Sequence, residues 1–186
     1  MSFQKTIRLP LDRIGVLIGK NGSVKKRIED ICGISILIDS KTGEVTIDLK
    51  KDIQESEPFK AIEIINAIGR GFSPSRAFKL LQENVILEIL DLREYTKKSH
   101  NSLERVKGRI IGFKGKCRNT LEELTNTFIS VFGHTVGIIG KSEEVKSALD
   151  AIDMLASGSI HKTVYNMLQR ERRKNKMDRM KLWEEY

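Results

Sequence analysis

The sequence predicts an α+β chain built twice on one plan, β-α-α-β-β-α, each copy forming a three-stranded antiparallel sheet covered on one face by helices. Three observations predict it. First, Ile14-Gly15-Val16-Leu17-Ile18-Gly19-Lys20-Asn21-Gly22 has an echo in Lys107-Gly108-Arg109-Ile110-Ile111-Gly112-Phe113-Lys114-Gly115, and each stretch ends in Gly-x-x-Gly. Second, a slide of 93 positions lays Val24, Ile28 and Ile31 on Cys117, Leu121 and Leu124, an i, i+4, i+7 stripe that marks one helical face. Third, the same slide lays the alternating Ile36 and Ile38 on Ile129 and Val131, as strand residues repeat. The repeat is therefore a whole folding unit.

In the first copy, Phe3 to Leu9 reads as a strand stopped by Pro10, and Leu11 to Ile18 as a short helix running into the Gly19–Gly22 loop. Ser23 to Cys32 is the second helix, with Gly33 as its C-terminal stop. Ile34 to Asp39 and Glu44 to Leu49 form a hairpin around Ser40-Lys41-Thr42-Gly43. Pro58 sits near the start of the third helix, where its missing N–H costs nothing. That helix runs to about Ile68, and Pro74 opens a short extra helix to Leu81.

The second copy starts with a strand over Val85 to Leu92, followed by a polar insertion, Arg93 to Asn101, that carries Arg93, Lys97, Lys98 and His100. Helices are expected over Leu103 to Ile111, Lys116 to Asn126 and Ser142 to Leu155. Strands Phe128 to Phe132 and Thr135 to Ile139 pair across Gly133-His134. Beyond the strands the repeat offset drops to 87, laying Ile62, Ile65 and Ile68 on Leu149, Ile152 and Leu155. The six residues lost are expected in the connection from the last strand to the third helix, since surface connections tolerate length changes most cheaply. From Ser159 a last helix is apolar-faced through Leu168. Positions 170–186 then hold seven Lys/Arg against four Asp/Glu, which reads as a basic arm and not as core.

Charge narrows the class of partner. The net charge of +8 suits a polyanion, nucleic acid or an anionic surface. No apolar run approaches the roughly 18 residues needed to span a bilayer, and no membrane partner is expected. Two cysteines, Cys32 and Cys117, give neither a disulfide framework nor a CxxC pattern, which fits a reducing, cytoplasmic setting.

The loops supply the chemistry. Glycines at both ends of a four-residue loop allow backbone angles and close approach that a Cβ would block. The helix that follows points free N–H groups at the same place, favouring a negatively charged guest. Lys20, Lys114 and Lys116 would neutralise phosphate charge, with Lys25, Lys26 and Arg27 beside the first loop and Lys107, Arg109 and Arg118 beside the second. The flanking charges equally suit an ordinary solvated helix face. Phe113 would stack on a base or pack against a neighbour. Bases would lie along Ile18, Ile36 and Ile38, or along Ile111, Ile129 and Val131, some of which must also be core.

Enzymatic readings find little. Cys117 follows a lysine at a helix start, a setting that lowers a thiol pKa. Its repeat partner is Val24, so it reads as a small buried apolar residue, and Cys32 reads the same way. His100, His134 and His161 are scattered without a carboxylate pattern, so neither a metal site nor a triad is indicated. Glu122 with Glu123, and Glu143 with Glu144, are helical neighbours pointing different ways, unlike a paired-carboxylate nuclease site. No cofactor, metal or catalytic residue is expected.

Ile-Gly-Lys-Asn-Gly and Ile-Gly-Phe-Lys-Gly at the helix–helix junctions, in this order of elements, resemble two type I KH domains covering nearly the whole chain. Gly71-Phe72-Ser73-Pro74-Ser75-Arg76-Ala77-Phe78 and Ser157-Gly158-Ser159-Ile160-His161-Lys162-Thr163-Val164-Tyr165 are similar to archaeal two-KH proteins of small-subunit ribosome assembly. Those are relatives of the eukaryotic partner of the endonuclease that trims the 3′ end of small-subunit rRNA. The resemblance implies binding to single-stranded rRNA near that 3′ end, and contacts with the endonuclease and with the alpha subunit of translation initiation factor 2. It implies RNA contact at Gly19, Lys20, Asn21 and Gly22 with Lys25 and Lys26, and at Gly112, Phe113, Lys114 and Gly115 with Lys107, Arg109, Lys116 and Arg118. In eukaryotic relatives the first loop is typically lost, whereas Gly19-Lys20-Asn21-Gly22 is intact here. Either both domains hold RNA or one serves protein contacts.

The expected organisation is a first KH domain over 1–82, a second over 83–169 and a basic helical extension over 170–186. The expected function is non-enzymatic binding of the 3′ region of 16S rRNA in ribosome biogenesis and rRNA processing. The rival readings are a scaffold whose KH folds bind assembly or initiation factors, a KH regulator of other RNAs, and an RNA-processing enzyme.

Overall fold

The computed structural model describes residues 3–49, 56–96 and 100–184. The chain divides into two compact units, Met1–Leu87 and Glu88–Tyr186. In the first, β1 (Gln4–Arg8), α1 (Leu11–Ile18), α2 (Ser23–Cys32), β2 (Ile34–Asp39), β3 (Glu44–Leu49) and α3 (Pro58–Gly69) follow in order. A single turn, α4 (Pro74–Ala77), then runs on as a 3-10 segment over Phe78–Leu81. The strands lie in the order β1-β3-β2, all antiparallel, with Ile36 opposite Ile47 and Ile38 opposite Val45.

The alternation seen in the sequence does its expected work. Ile34, Ile36, Val45 and Ile47 are buried and Leu37 is exposed, so one sheet face carries the apolar set. Against it lie Ile14 and Leu17 of α1, Ile28 and Cys32 of α2, and Ala61, Ile64, Ile65 and Ile68 of α3, all buried. Each such Ile or Leu contributes about 1.5–3 kcal/mol by leaving water.

The second unit repeats the plan with β4 (Val85–Asp91), α5 (His100–Ile111), α6 (Lys116–Thr125), β5 (Phe128–Phe132), β6 (Thr135–Lys141), α7 (Ser142–Ala156) and α8 (His161–Glu184). Its sheet runs β4-β6-β5, and Ile129 faces Ile138. Val106, Ile110, Cys117, Leu121, Ile129, Ile138, Val145, Ile152 and Leu155 are buried. The second helix of each copy ends alike: Gly33 at φ 66° donates its N–H to Glu29 O, and Asn126 at φ 58° donates to Glu122 O.

Two expectations are corrected. The six-residue shortening is not confined to the strand-to-helix connection. Ile36–Ile47 maps onto Ile129–Ile138, so the offset has already fallen from 93 to 91 across the hairpin. The turn at Ser40–Gly43 has shrunk to Gly133-His134, and β6 then leads straight into α7. Helix α5 begins at His100, a turn before Leu103, because its extra turn is polar and leaves no mark on an apolar pattern. Lys97 and Lys98 of the insertion lie outside the described residues. The basic stretch from Arg170 lies on the same last helix, α8. Val164 and Leu168 anchor the start of that helix, and Arg170, Arg173, Lys174 and Lys176 beyond them are exposed.

One device recurs in both units at different sequence positions. Arg13 of α1 donates from Nε to Ile68 O at 2.8 Å and from Nη2 to Phe72 O at 2.6 Å. Arg109 of α5 donates from Nε to Leu155 O at 3.1 Å and from Nη2 to Ser159 O. Each guanidinium thus ties the first helix to the C-terminal carbonyls of the third and of the turn beyond it. Ile68 O and Leu155 O also accept the N–H of Gly71 at 3.1 Å and of Gly158 at 3.2 Å, so the guanidinium adds a charged donor at the negative end of the helix dipole. We expect Arg13→Ala and Arg109→Ala each to lower unfolding free energy by about 1.5–3 kcal/mol in urea titrations. Lysine should rescue neither, since an ammonium lacks the fork that spans two acceptors. Wild-type stability in either alanine variant would show that the clamp is dispensable.

Candidate nucleic-acid interface

The two Gly-x-x-Gly loops have nearly the same backbone. Gly19 has φ/ψ of 72°/177°, Asn21 52°/33° and Gly22 74°/10°. Gly112, Lys114 and Gly115 have 71°/175°, 49°/31° and 78°/8°. Each loop is closed on itself, with Gly22 N donating to Gly19 O at 3.2 Å and Gly115 N to Gly112 O at 3.1 Å. Three of the four positions in each loop are left-handed, so the turn is tight and its course is fixed.

The two glycines of a loop do different jobs. A Cβ on Gly19 would stand 2.5 Å from Val24 Cγ2 and 2.9 Å from Val24 N, and one on Gly112 would stand 2.6 Å from Cys117 Cβ and 2.8 Å from its N. The first glycine therefore lets the loop press against the following helix. A Cβ on Gly22 would meet nothing within 4 Å, and one on Gly115 only Arg118 Nη2 at 3.9 Å. The second glycine answers to φ alone, and the space beside it is open. It is also the N-cap of α2 or α6, and no side chain caps either helix. The N–H groups of Ser23 and Lys116 turn back to Lys20 O and Phe113 O, and the open space adjoins the positive end of the helix dipole, which favours an anion.

Of the residues expected at the first loop, Lys20, Asn21 and Lys26 are exposed and Lys25 half-buried. At the second loop, Lys114 and Lys116 are exposed, and Phe113 is 81% exposed with Lys114 Nζ 5.4 Å from its ring centroid. Arg118 is half-buried. Its Nη2 reaches Asn119 Oδ1 at 3.3 Å, while its Nε is buried without a hydrogen-bond partner. Lys107 pairs with Glu104 at 2.8 Å. Arg109 points its guanidinium at the α7 carbonyls, and its own carbonyl oxygen meets His161 Nε2 at 2.9 Å. Arg27 lies 4.4 Å from the centroid of Phe78, joining α2 to the 3-10 segment.

The isoleucines divide by depth. Ile36 and Ile129 are buried core, whereas Ile18, Ile38, Ile111 and Val131 are half-buried and present apolar surface. Beside them are two residues the sequence reading missed as partners of the strand. Glu29 Oε1 accepts the N–H of Ile36 at 2.8 Å, and Glu122 Oε1 accepts that of Ile129 at 2.7 Å. Both strands are sheet edges, and the 93-residue offset that joins the isoleucines joins the glutamates too. An acid in the same slot of both copies was the available signal.

Burial pushes the Cys117 thiol up, against opposing effects from the Tyr165 hydroxyl and Arg109, and burial with nearby Glu57 pushes Cys32 up to about 11. Both thiols are therefore protonated at neutral pH and poor nucleophiles. Among the described residues no group of three or more His, Cys, Asp or Glu is placed to hold a metal ion. No helix among them is long and apolar enough to cross a membrane.

Comparison with known proteins gives two domain matches, a KH domain over residues 4–56 and a eukaryotic-type KH domain (KH-domain type I) of the PNO1 second-domain class over 86–173. A KH domain-containing protein of Methanocaldococcus jannaschii is 46% identical over 180 residues, covering 95% of this chain and 78% of that protein. The pre-rRNA-processing protein PNO1 of Chaetomium thermophilum is 26% identical over 168 residues, covering 89% of this chain and 64% of that one. Among solved structures, aDim2p in the a/eIF2alpha–aDim2p–rRNA complex of Pyrococcus horikoshii is 44% identical, with a TM-score of 0.85 over 93% of this chain and 96% of that one.

The steric difference between the glycines has a measurable consequence. We expect Gly19→Ala and Gly112→Ala to destabilise strongly, since a Cβ there meets helix backbone as well as straining φ. Gly22→Ala and Gly115→Ala should lose only the roughly 1–2 kcal/mol of a left-handed alanine and keep the fold. Chemical denaturation of the four variants tests this, and equal losses at all four would remove the case for a forced close approach.

Proposed function

Since the chain belongs to the KH-domain family of archaeal Dim2p and eukaryotic PNO1, we propose that it is a single-stranded RNA-binding protein of ribosome biogenesis and rRNA processing that holds the 3′ region of 16S rRNA. One observation carries the site: two loops of the same left-handed shape, each with open space against an uncapped helix start. A KH loop clamps about four nucleotides by their backbone, leaving the bases free to be read on their edges. Phosphate oxygens sit in the open space beside Gly22 and Gly115, at the positive end of the helix that follows each loop. Lys20, Asn21, Lys25 and Lys26 support the first clamp, and Lys114, Lys116 and the under-partnered Arg118 the second. Phe113 stacks on a base, a contact worth about 1–3 kcal/mol.

Arg109 acts as a positioning residue, because its guanidinium already holds α5 to the end of α7. Lys107 is available by exchange, since an exposed pair such as Lys107–Glu104 contributes little. The protein is a binding module and not an enzyme, a reading supported by protonated buried thiols and RNA-binding relatives. It works in the cytoplasm, with the first domain over 1–82, the second over 83–169 and the basic extension over 170–186. The solved relative's complex with a/eIF2alpha and rRNA supports the alpha subunit of the initiation factor as a partner, and we place the rRNA-processing endonuclease beside it.

The test is titration of single-stranded RNA matching the 16S 3′ end, against a scrambled control, across salt concentrations. Lys20→Asp with Asn21→Asp disables the first loop, and Phe113→Asp with Lys114→Asp the second. Aspartate tolerates the left-handed φ of 52° at Asn21 and 49° at Lys114, so each change repels phosphate without forcing the turn. We expect the matching RNA to bind more tightly than the scrambled one and at least one double variant to lose it with its fold intact. Equal binding of both RNAs, unaffected by either variant, would overturn the proposal.

A further inference from the structure

We infer that Glu29 and Glu122 are base-reading residues that select nucleobases bearing an amino group, cytosine over uracil in the pyrimidine pair. The inference rests on the RNA-binding reading above and concerns which bases its groove accepts. Each glutamate stands on the second helix of its copy and reaches the outward N–H of the edge strand, at 2.8 Å for Ile36 and 2.7 Å for Ile129. That strand edge is where a base beside half-buried Ile18 and Ile38, or Ile111 and Val131, would seek hydrogen bonds. Because the N–H is already met by a carboxylate, an incoming base encounters acceptors there and not the strand's donor.

The placement is built. Glu29 lies seven residues beyond Gly22 and Glu122 seven beyond Gly115, about 10 Å along the helix from each loop. That lies within the stretch of backbone a KH loop holds. The bond to the strand fixes one oxygen in each copy, so the carboxylate is oriented before any base arrives. A carboxylate has about four acceptor positions, more than a single strand N–H can occupy. Cytosine offers its N4 amino hydrogens to such a group. Uracil carries a carbonyl at the same position, and two acceptors facing each other repel. An anion in the groove of a protein with net charge +8 also weakens indiscriminate binding of phosphate, as a reader of sequence requires.

The experiment measures affinity for short cytidine and uridine oligomers at one salt concentration, using the full chain, Glu29→Gln, Glu122→Gln and both together. Glutamine keeps a carbonyl for the strand N–H but turns the other end into a donor. Wild type should favour cytidine by roughly tenfold, and glutamine in the reading domain should bring the ratio near unity or invert it. A carboxylate that only props the strand would leave the ratio unchanged. As a check that needs no variant to fold, an oligomer of pyrimidin-2-one ribonucleotide, which has neither the amino donor nor the opposing carbonyl, should bind wild type more weakly than cytidine does and no more weakly than uridine. RNA binding with no cytidine preference, a ratio indifferent to all three variants, or pyrimidin-2-one bound as tightly as cytidine would overturn the inference while leaving RNA binding intact. Failure of wild type to bind any of the RNAs would overturn the RNA-binding reading itself, and this inference with it.

Discussion

The site depends on a contact too close for a side chain. Gly19 lies against Val24 and Gly112 against Cys117 with no room for a Cβ, so in each unit the first helix must end where the second begins. Much follows from that constraint. The chain turns through left-handed angles because no right-handed path is that short. Asn21 and Lys114 accept φ of 52° and 49°, a cost of about 1–2 kcal/mol each that only surrounding structure sustains. The helix start is capped by a glycine without a side chain, so the space beside it stays open. The helix itself is set so that its seventh residue past the loop meets the edge strand. The proposed clamp and the proposed reading edge would thus be positioned by one junction.

The arginine clamps show which parts of a repeated fold are held by physics and which drift. The acceptors obey the repeat: Ile68 and Phe72 map onto Leu155 and Ser159 at the 87-residue offset. The donors do not. At the 93-residue offset Arg13 falls on Val106 and Arg109 on Val16. Val106 and Arg109 are three residues apart on α5, so the guanidinium has moved one turn along the same face and still reaches its carbonyls. Carbonyls at the negative end of a buried helix favour a cationic donor wherever the chain can supply one. The demand is conserved between the copies, and the residue that meets it is not.

That explains why the sequence was clear on some points and opaque on others. Helices and strands were legible because burial imposes a period: Ile28 and Leu121, or Ile36 and Ile129, announce their faces by spacing alone. The loops were legible because Gly-x-x-Gly states a backbone conformation. The role of Arg109 was not, since a guanidinium beside a loop looks the same whether it faces solvent or a carbonyl 46 residues away. Polar residues carry no period, which also hid the first turn of α5 and the reach of Glu29 and Glu122. The hairpin lost two residues in silence, because a turn shortened by two keeps every flanking side chain on its own face. The depth of Ile18 against Ile36 could come only from three dimensions.

With backbone geometry this nearly equal, any difference between the loops must lie in their side chains. The first presents Lys20 and Asn21, both exposed and polar, so it can neutralise and hydrogen-bond but offers no apolar face at its tip. The second presents Phe113, 81% exposed, beside the Lys114 ammonium. A phenyl ring left in water forgoes the roughly 1.5–3 kcal/mol that burial would return, and a loop with fixed angles has no means of folding it away. The ring is thus held out by the same close contact that shapes the clamp. Duplication kept the part that forces the turn, Gly19 and Gly112, and released the two positions between the glycines to differ. A polar tip grips any backbone, while an aromatic tip adds affinity only where a ring can meet it. On the proposed RNA-binding reading, the second loop would distinguish an unstacked base from a phosphate alone, and the first would not.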